Sequence, residues 1–158
     1  MNIFVVNEDP EQSARDLCDQ HVHKMTLETA QLLCCAFPVG DAPYLRSAGH
    51  GNHPCAKWVR ESSENFNWLV AHGLTLAEEF EHRYGKPHAS GRVILWAWEH
   101  RAASEVVTQC SMTPFVQAMP DEFKRASAVD AYRAYYIGSK VRFAKWSRTR
   151  PPPAWWQV

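Results

Sequence analysis

No stretch of this 158-residue sequence approaches the roughly 18 to 20 uninterrupted apolar residues that span a bilayer, because His, Glu, Arg or Asn breaks each apolar run. Net charge is missing too. Seventeen Lys and Arg face 17 Asp and Glu, which argues against a chain that coats nucleic acid non-specifically. The opening Met1-Asn2-Ile3-Phe4-Val5-Val6-Asn7-Glu8 has no basic lead, no apolar core of useful length and no small-residue cleavage site. A secretory signal is therefore not expected, and a cytoplasmic location is. The five cysteines, Cys18, Cys34, Cys35, Cys55 and Cys110, are odd in number and lack paired-knuckle spacing, so thiols are expected rather than disulfides. No internal repeat and no composition break divides the chain, which reads as one domain over residues 1–158.

What is present is the balance of a globular protein, with 46% hydrophobic and 12% aromatic residues. Charge is distributed unevenly. From Pro120 to Val158 there are eight Lys or Arg against three acids, leaving +5 there and −5 on the rest. Residues 2–6 are an apolar, β-branched run that suits either a strand or an extended arm. Asp9-Pro10-Glu11-Gln12 combines a capping residue, a first-turn proline and the partner of a capping box. It predicts a helix of about 25 residues ending near Pro38. Pro54 opens a second long helix, apolar at Trp58, Phe66, Leu69, Leu76 and Phe80, with Gly85 placed to end it in a left-handed cap. The segment from Arg92 to about Val107 favours helix, and Ser127 caps a last helix running to about Trp146. The expected fold is mainly α, with long packed helices and an extended tail rich in Trp and Pro.

Ala14, Leu17, Cys18, His21, Met25, Glu28 and Leu32 step by three or four along the first helix, so His21 and Glu28 share one face about 20° apart. Cys18 and Lys24 flank them. A base, an acid and a cation thus occupy positions where a core helix normally carries Leu or Val. The plain structural reading is a set of polar groups satisfied by one another or by a neighbouring helix. A second possibility is a tetrahedral zinc held by Cys18, His21, His53 and Cys55. Downstream, Tyr132, Arg133, Tyr135, Tyr136, Lys140, Arg142, Phe143, Lys145, Trp146, Arg148 and Arg150 interleave cations with rings. Cations hold phosphates and rings stack on bases, although a solvated basic face opposite a tyrosine face gives the same pattern.

Asp19-Gln20-His21 followed by Glu28, and Met119-Pro120-Asp121-Glu122-Phe123-Lys124 ahead of the basic aromatic region, resemble the phage pyrimidine-dimer DNA glycosylases of the endonuclease V type. The same Asp-Gln-His opens the catalytic helix in that family, and the second stretch is similar to its Ile-Pro-Gln-Glu-Phe-Arg. The sequence also resembles an uncharacterised group of phage and bacterial proteins that share Cys-Asp-x-His, His-Pro-Cys and Met-Pro-Asp-Glu motifs. The first resemblance implies that Glu28 is the catalytic carboxylate and that the nucleophile is the N-terminal α-amine, on Asn2 if Met1 is removed and on Met1 if it is not. It also departs from the family's pattern. Leu27, Ala30 and Gln31 stand where the family carries phosphate-gripping basic residues, the chain is neutral, and Asn2 replaces a small second residue.

An α-amine titrates near about 7.7 to 8.0, well below lysine, so a useful neutral fraction is available to attack a sugar carbon. The resemblance implies a glycosylase and lyase acting on damaged or modified duplex DNA as a monomer, without a cofactor. Its catalytic residues are Met1 or Asn2, Glu28 and His21, and its DNA contacts Lys24, His53, Arg133, Lys140, Arg142, Lys145 and Trp146. Trp58 or the Tyr135-Tyr136 pair would stack in the gap left by an extruded nucleotide. Two other readings stay open: an enzyme for a modified base or free nucleotide using Glu28, His21 and His53, and a non-catalytic nucleic-acid-binding module.

Overall fold

A computed structural model describes residues 1–45, 48–108 and 111–157. Cys110 lies outside the described residues. The described part is helical, with α1 Pro10–Arg15, α2 Asp19–Cys34, α3 Ala48–Asn52, α4 Pro54–Glu61, α5 Ser63–Tyr84, α6 Ala89–Glu99 and α7 Ala128–Lys140, and two short 3-10 turns. Residues 2–5 take the extended-arm alternative. Ile3, Phe4 and Val5 are buried against the helices, and residues 2–5 pair with no strand among the described residues. No helix among the described residues is long and apolar enough to cross a membrane.

The expected first helix is broken in two. Asp9 caps α1 as its sequence implies, accepting from the Gln12 amide. The chain then leaves helical geometry at Cys18, because distant groups satisfy the backbone there. Arg83 donates to the carbonyls of Arg15 and Leu17, and Trp146 Nε1 donates to that of Asp16. The Cys18 amide donates to Tyr136 Oη, and the Asp19 amide to the Lys145 carbonyl. Paired backbone groups remove the usual penalty for interrupting a helix.

The second long helix is also divided, at the buried Ser62, whose extended backbone and side-chain oxygen cap α5 through the Asn65 amide. The carboxamide of Asn65 then bridges Trp58 and Thr113. Gly85 ends α5 with φ 69°, in the left-handed cap its position implies. The third segment starts earlier than expected. His88 Nδ1 accepts from the Ser90 amide, an imidazole cap that Ser-, Thr- and Asp-based signals overlook. Ser127 caps α7 as expected, but that helix stops at Lys140, short of Trp146. The loop before Pro54 contains α3.

α5 is the central pillar, packed along α1, α2, α4 and α6 around one contiguous apolar cluster. Gly73 lets α5 approach closely: a Cβ there would meet Thr29 Cγ2 at 2.6 Å and Ile94 Cδ1 at 3.0 Å. The tail is strapped down as the sequence suggests. Trp155 and Trp156 pack edge-on to Tyr136, and Trp155 Nε1 donates to Asp16 at 2.8 Å.

Candidate active site

α2 begins where the tail holds it. The Asp19 carboxylate accepts from the Ser147 amide and hydroxyl and pairs with Arg83, which fixes the first turn and therefore the direction of the face carrying Gln20, His21, Lys24 and Glu28. The N-terminal arm runs beside that face. Ser13 pins it by donating to the Phe4 carbonyl and accepting from the Val6 amide. Phe4 lies between helices, 4.5 Å from the His21 ring and stacked at 6.0 Å on Tyr135 of α7.

Together these elements enclose a polar cleft of about 350 Å³ whose lining includes Met1, Asn2, Gln20, His21, Lys24, Glu28, Lys140 and Arg142. Its centre is the Glu28 carboxylate, 12% exposed, and the two oxygens face different nitrogens. Oε2 accepts from the Asn2 backbone nitrogen at 2.9 Å, and Oε1 lies 3.4 Å from Lys24 Nζ. Lys140 donates to Tyr135 Oη at 3.0 Å and sits 4.3 Å from the centre of that ring. A backbone nitrogen held on a carboxylate, with Lys24, Lys140 and Arg142 in the same lining, puts a donor, an acid and three cations in one cleft suited to a phosphate-bearing ligand.

His21 is 4% exposed, boxed by Phe4, Tyr136 and Phe143. Burial first, then the charges of Lys140 and Lys24, push its pKa down to about 3. Its place in the cleft is therefore that of a neutral ring, which offers a phosphate no positive charge. Nδ1 is buried without a hydrogen-bond partner among the described residues. His72, outside the cleft, is also neutral: burial lowers it to about 4, and Nδ1 donates to the Pro10 carbonyl at 3.0 Å.

These two rings set a pH dependence. Above about pH 6.5 they are neutral whether folded or unfolded and contribute no slope. As pH falls below that value only the unfolded chain takes up their protons, so each is expected to remove about 1 kcal/mol of stability per pH unit until its own folded pKa is reached. Urea unfolding at pH 7.5, 6.5, 5.5 and 4.5 checks this. A flat profile from pH 6.5 to 4.5 would mean that both imidazoles protonate in the folded state.

The other expected contacts divide. His53 caps α4 through Nδ1 and does not line the cleft. Its pKa is lowered by burial and then by the Met1 ammonium, while Glu28 opposes the shift, so it feels both partners of the site. Arg133 is half-buried and donates to the Val6 carbonyl. Lys145 is exposed away from the cleft. Trp146 packs 4.9 Å from Trp156 in the tail. The stacking role expected of Trp58 and Tyr136 is corrected, since both are core residues at 1% and 0% exposure, with no ring face free for a base. Tyr135 alone of that set reaches the cleft.

The zinc alternative does not assemble. Cys18 accepts from Tyr136 Oη, Cys55 lies beside Asn2, and no group of three or more His, Cys, Asp or Glu among the described residues is placed to hold a metal. Gln20 and Phe4 of the lining are the residues that sequence reasoning missed, whereas Met25 lies on the expected face and Phe143 in the expected cation–aromatic stretch. Gln20 lies four residues before Lys24, so its place on this side of α2 follows from helical spacing, whereas Phe4 reaches the cleft only because the arm folds back.

Of the eight basic residues that follow Pro120, only Lys140 and Arg142 line the cleft. Lys124 pairs with Asp121, Arg150 with Glu79, and Arg148 lies over Tyr84. Comparison with known proteins finds no match among curated proteins or solved structures. A family model described as pyrimidine dimer DNA glycosylase matches residues 1–90.

Proposed function

We propose, because this chain belongs to the pyrimidine dimer DNA glycosylase family, that it removes a damaged or modified base from DNA and nicks the resulting strand, using its N-terminal amine and Glu28. The observation that carries this reading is the 2.9 Å contact between the Asn2 nitrogen and Glu28 Oε2. With Met1 removed, that nitrogen is the α-amine. With Met1 retained, the amine shifts one residue outward, to where its charge acts on His53 and Cys55.

Glu28 accepts a proton from the amine, freeing its lone pair to attack C1′ of the nucleotide. The glycosidic bond breaks and the base departs with the bonding pair and a proton. The bond from C1′ to the ring oxygen then opens, the oxygen takes up a proton, and an imine joins protein to sugar. Removal of a C2′ proton by Glu28 expels the 3′ phosphate in a β-elimination, and water hydrolyses the imine to return the amine. Lys24, Lys140 and Arg142 hold the flanking phosphates. Neutral His21 supplies shape and one unpaired ring nitrogen. Extruding the nucleotide costs a few kcal/mol, less for a damaged base, and Tyr135 is the ring available to stack on it.

The zero net charge favours a second reading, a free nucleotide or modified base bound in the same cleft. Borohydride trapping on DNA carrying an abasic site or a pyrimidine dimer separates the two, with N-terminally acetylated protein and Lys24→Arg alongside. An adduct lost on acetylation is the expected result. An adduct that survives acetylation but is lost in Lys24→Arg would move the nucleophile to the second nitrogen on Glu28. No adduct on either DNA would overturn the reading in favour of the nucleotide enzyme, whose binding should vary little with salt.

A further inference from the structure

Chain termini are poorly ordered unless tied down, and a nucleophile borne on one is of little use if it wanders. The second residue here is tied by its own side chain. Asn2 Oδ1 accepts from Tyr132 Oη at 2.9 Å and from the Ile3 amide at 2.8 Å, and Nδ2 donates to the Ala118 carbonyl at 2.9 Å. Cys55 Sγ is 3.9 Å from the same oxygen. The carboxamide oxygen therefore accepts from the Ile3 amide and shares the single Tyr132 hydroxyl proton with the Val116 carbonyl, and one of its two donors is in use. The partners come from α7, from the segment before it and from α4, so three separate parts of the chain meet on one side chain two residues from the terminus.

We infer that the Asn2 carboxamide is a clamp that positions the N-terminal amine against Glu28, with Tyr132 as its principal anchor. This rests on the reading of the amine as nucleophile, with Met1 removed so that the amine is the Asn2 nitrogen. The clamp gives a physical reason for a large residue at position 2. Alanine, glycine, serine or threonine there is too short to reach the Ala118 carbonyl and Tyr132 Oη together. Holding the Asn2 Cα from the side-chain direction leaves only the backbone nitrogen to be aimed, and its direction is the one that brings it to Glu28 Oε2. A displacement of about 1 Å at a reacting atom costs on the order of 100-fold in rate, so the clamp acts on the rate of imine formation rather than on DNA affinity.

The anchor is separable from the fold. Tyr132 Oη also lies 2.8 Å from the Val116 carbonyl, so loss of Asn2 leaves the buried hydroxyl an acceptor. Asn2→Ala therefore removes the clamp while Tyr132 keeps its place in the core.

The test compares wild type, Asn2→Ala, Tyr132→Phe and the double variant, each prepared with Met1 removed and its N-terminal residue confirmed by intact mass. Imine formation on abasic-site DNA is followed by borohydride trapping, DNA affinity is measured separately, and the order and hydrogen-exchange protection of the Ile3 amide are followed by NMR. Asn2→Ala is expected to slow trapping by at least about 10-fold at unchanged affinity, with a small fall in unfolding temperature and the Ile3 amide losing protection. Tyr132→Phe should move trapping in the same direction, and the double variant should be no slower than Asn2→Ala, because both act through one contact. Trapping at the wild-type rate in Asn2→Ala would overturn the clamp and leave the amine mechanism standing. Absence of trapping in wild type would overturn the mechanism, and the clamp's role with it.

Discussion

Glu28→Gln is expected to lower imine trapping and strand nicking by about 10² to 10⁴-fold, the range that one proton-transfer group contributes. Glutamine keeps the shape of the side chain and an oxygen able to accept from the Asn2 nitrogen at the 2.9 Å position. It cannot take a proton from the amine or from C2′. Both halves of the proposed reaction should therefore fail together. Folding should barely change, because the ion pair lost with Lys24 is 3.4 Å long with the lysine 63% exposed, a type worth about 0 to 1 kcal/mol. Single-turnover trapping and cleavage on abasic-site DNA, with a urea curve as control, measure both. Wild-type rates in Glu28→Gln would make the carboxylate a spectator.

Removing the Arg83 side chain is expected to destabilise the protein by about 3 to 5 kcal/mol, the cost of breaking a buried charge network from one side. The guanidinium is fully buried and bonds to Glu79, Asp19 and the carbonyls of Arg15 and Leu17. Arg83→Ala strands two carbonyls in the gap between α1 and α2 and leaves Glu79 held only by Arg150. Arg83→Lys should rescue little, since a point ammonium cannot serve acceptors spread around a planar fork. Truncating Lys124, whose pair with Asp121 is exposed, is the matched control, with an expected change of about 0 to 1 kcal/mol. Urea unfolding at neutral pH decides. A cost for Arg83→Ala no larger than that of the control would show that water reaches the α1 to α2 gap.

Glu28 and His21 were visible as a pair because seven residues is nearly two helical turns, and helical spacing is a local property. Lys24 was visible for the same reason. Arg133, Lys145 and Trp146 share a basic aromatic stretch with Lys140 and Arg142. Proximity along the chain carries no information about which side of α7 or of the tail faces the cleft. Arg133 turns to the Val6 carbonyl and Trp146 to that of Asp16, whereas Lys140 and Arg142, a few residues away, reach the cleft.

The breaks at Asp16 to Cys18 and at Ser62 illustrate the same limit. The apolar stripe runs unbroken through both, and periodicity reads them as continuous helix. What interrupts them is hydrogen bonding from elsewhere: Arg83, Tyr136, Trp146 and Lys145 for the first, and for the second the Asn65 network that reaches Thr113. Backbone groups leave a helix cheaply only when other partners meet them, and those partners lie as much as about 130 residues away in sequence.

The helical class, the caps at Asp9, Ser127 and Gly85, and the shared face of His21 and Glu28 are written in the order of residues, because each follows from local sterics and the 3.6-residue turn. Tertiary structure alone decided that the N-terminal arm folds back onto α2, that the Asn2 nitrogen meets Glu28, and that His21 is neutral. Those depend on burial and on contacts between distant residues, and no local pattern encodes which surfaces will meet.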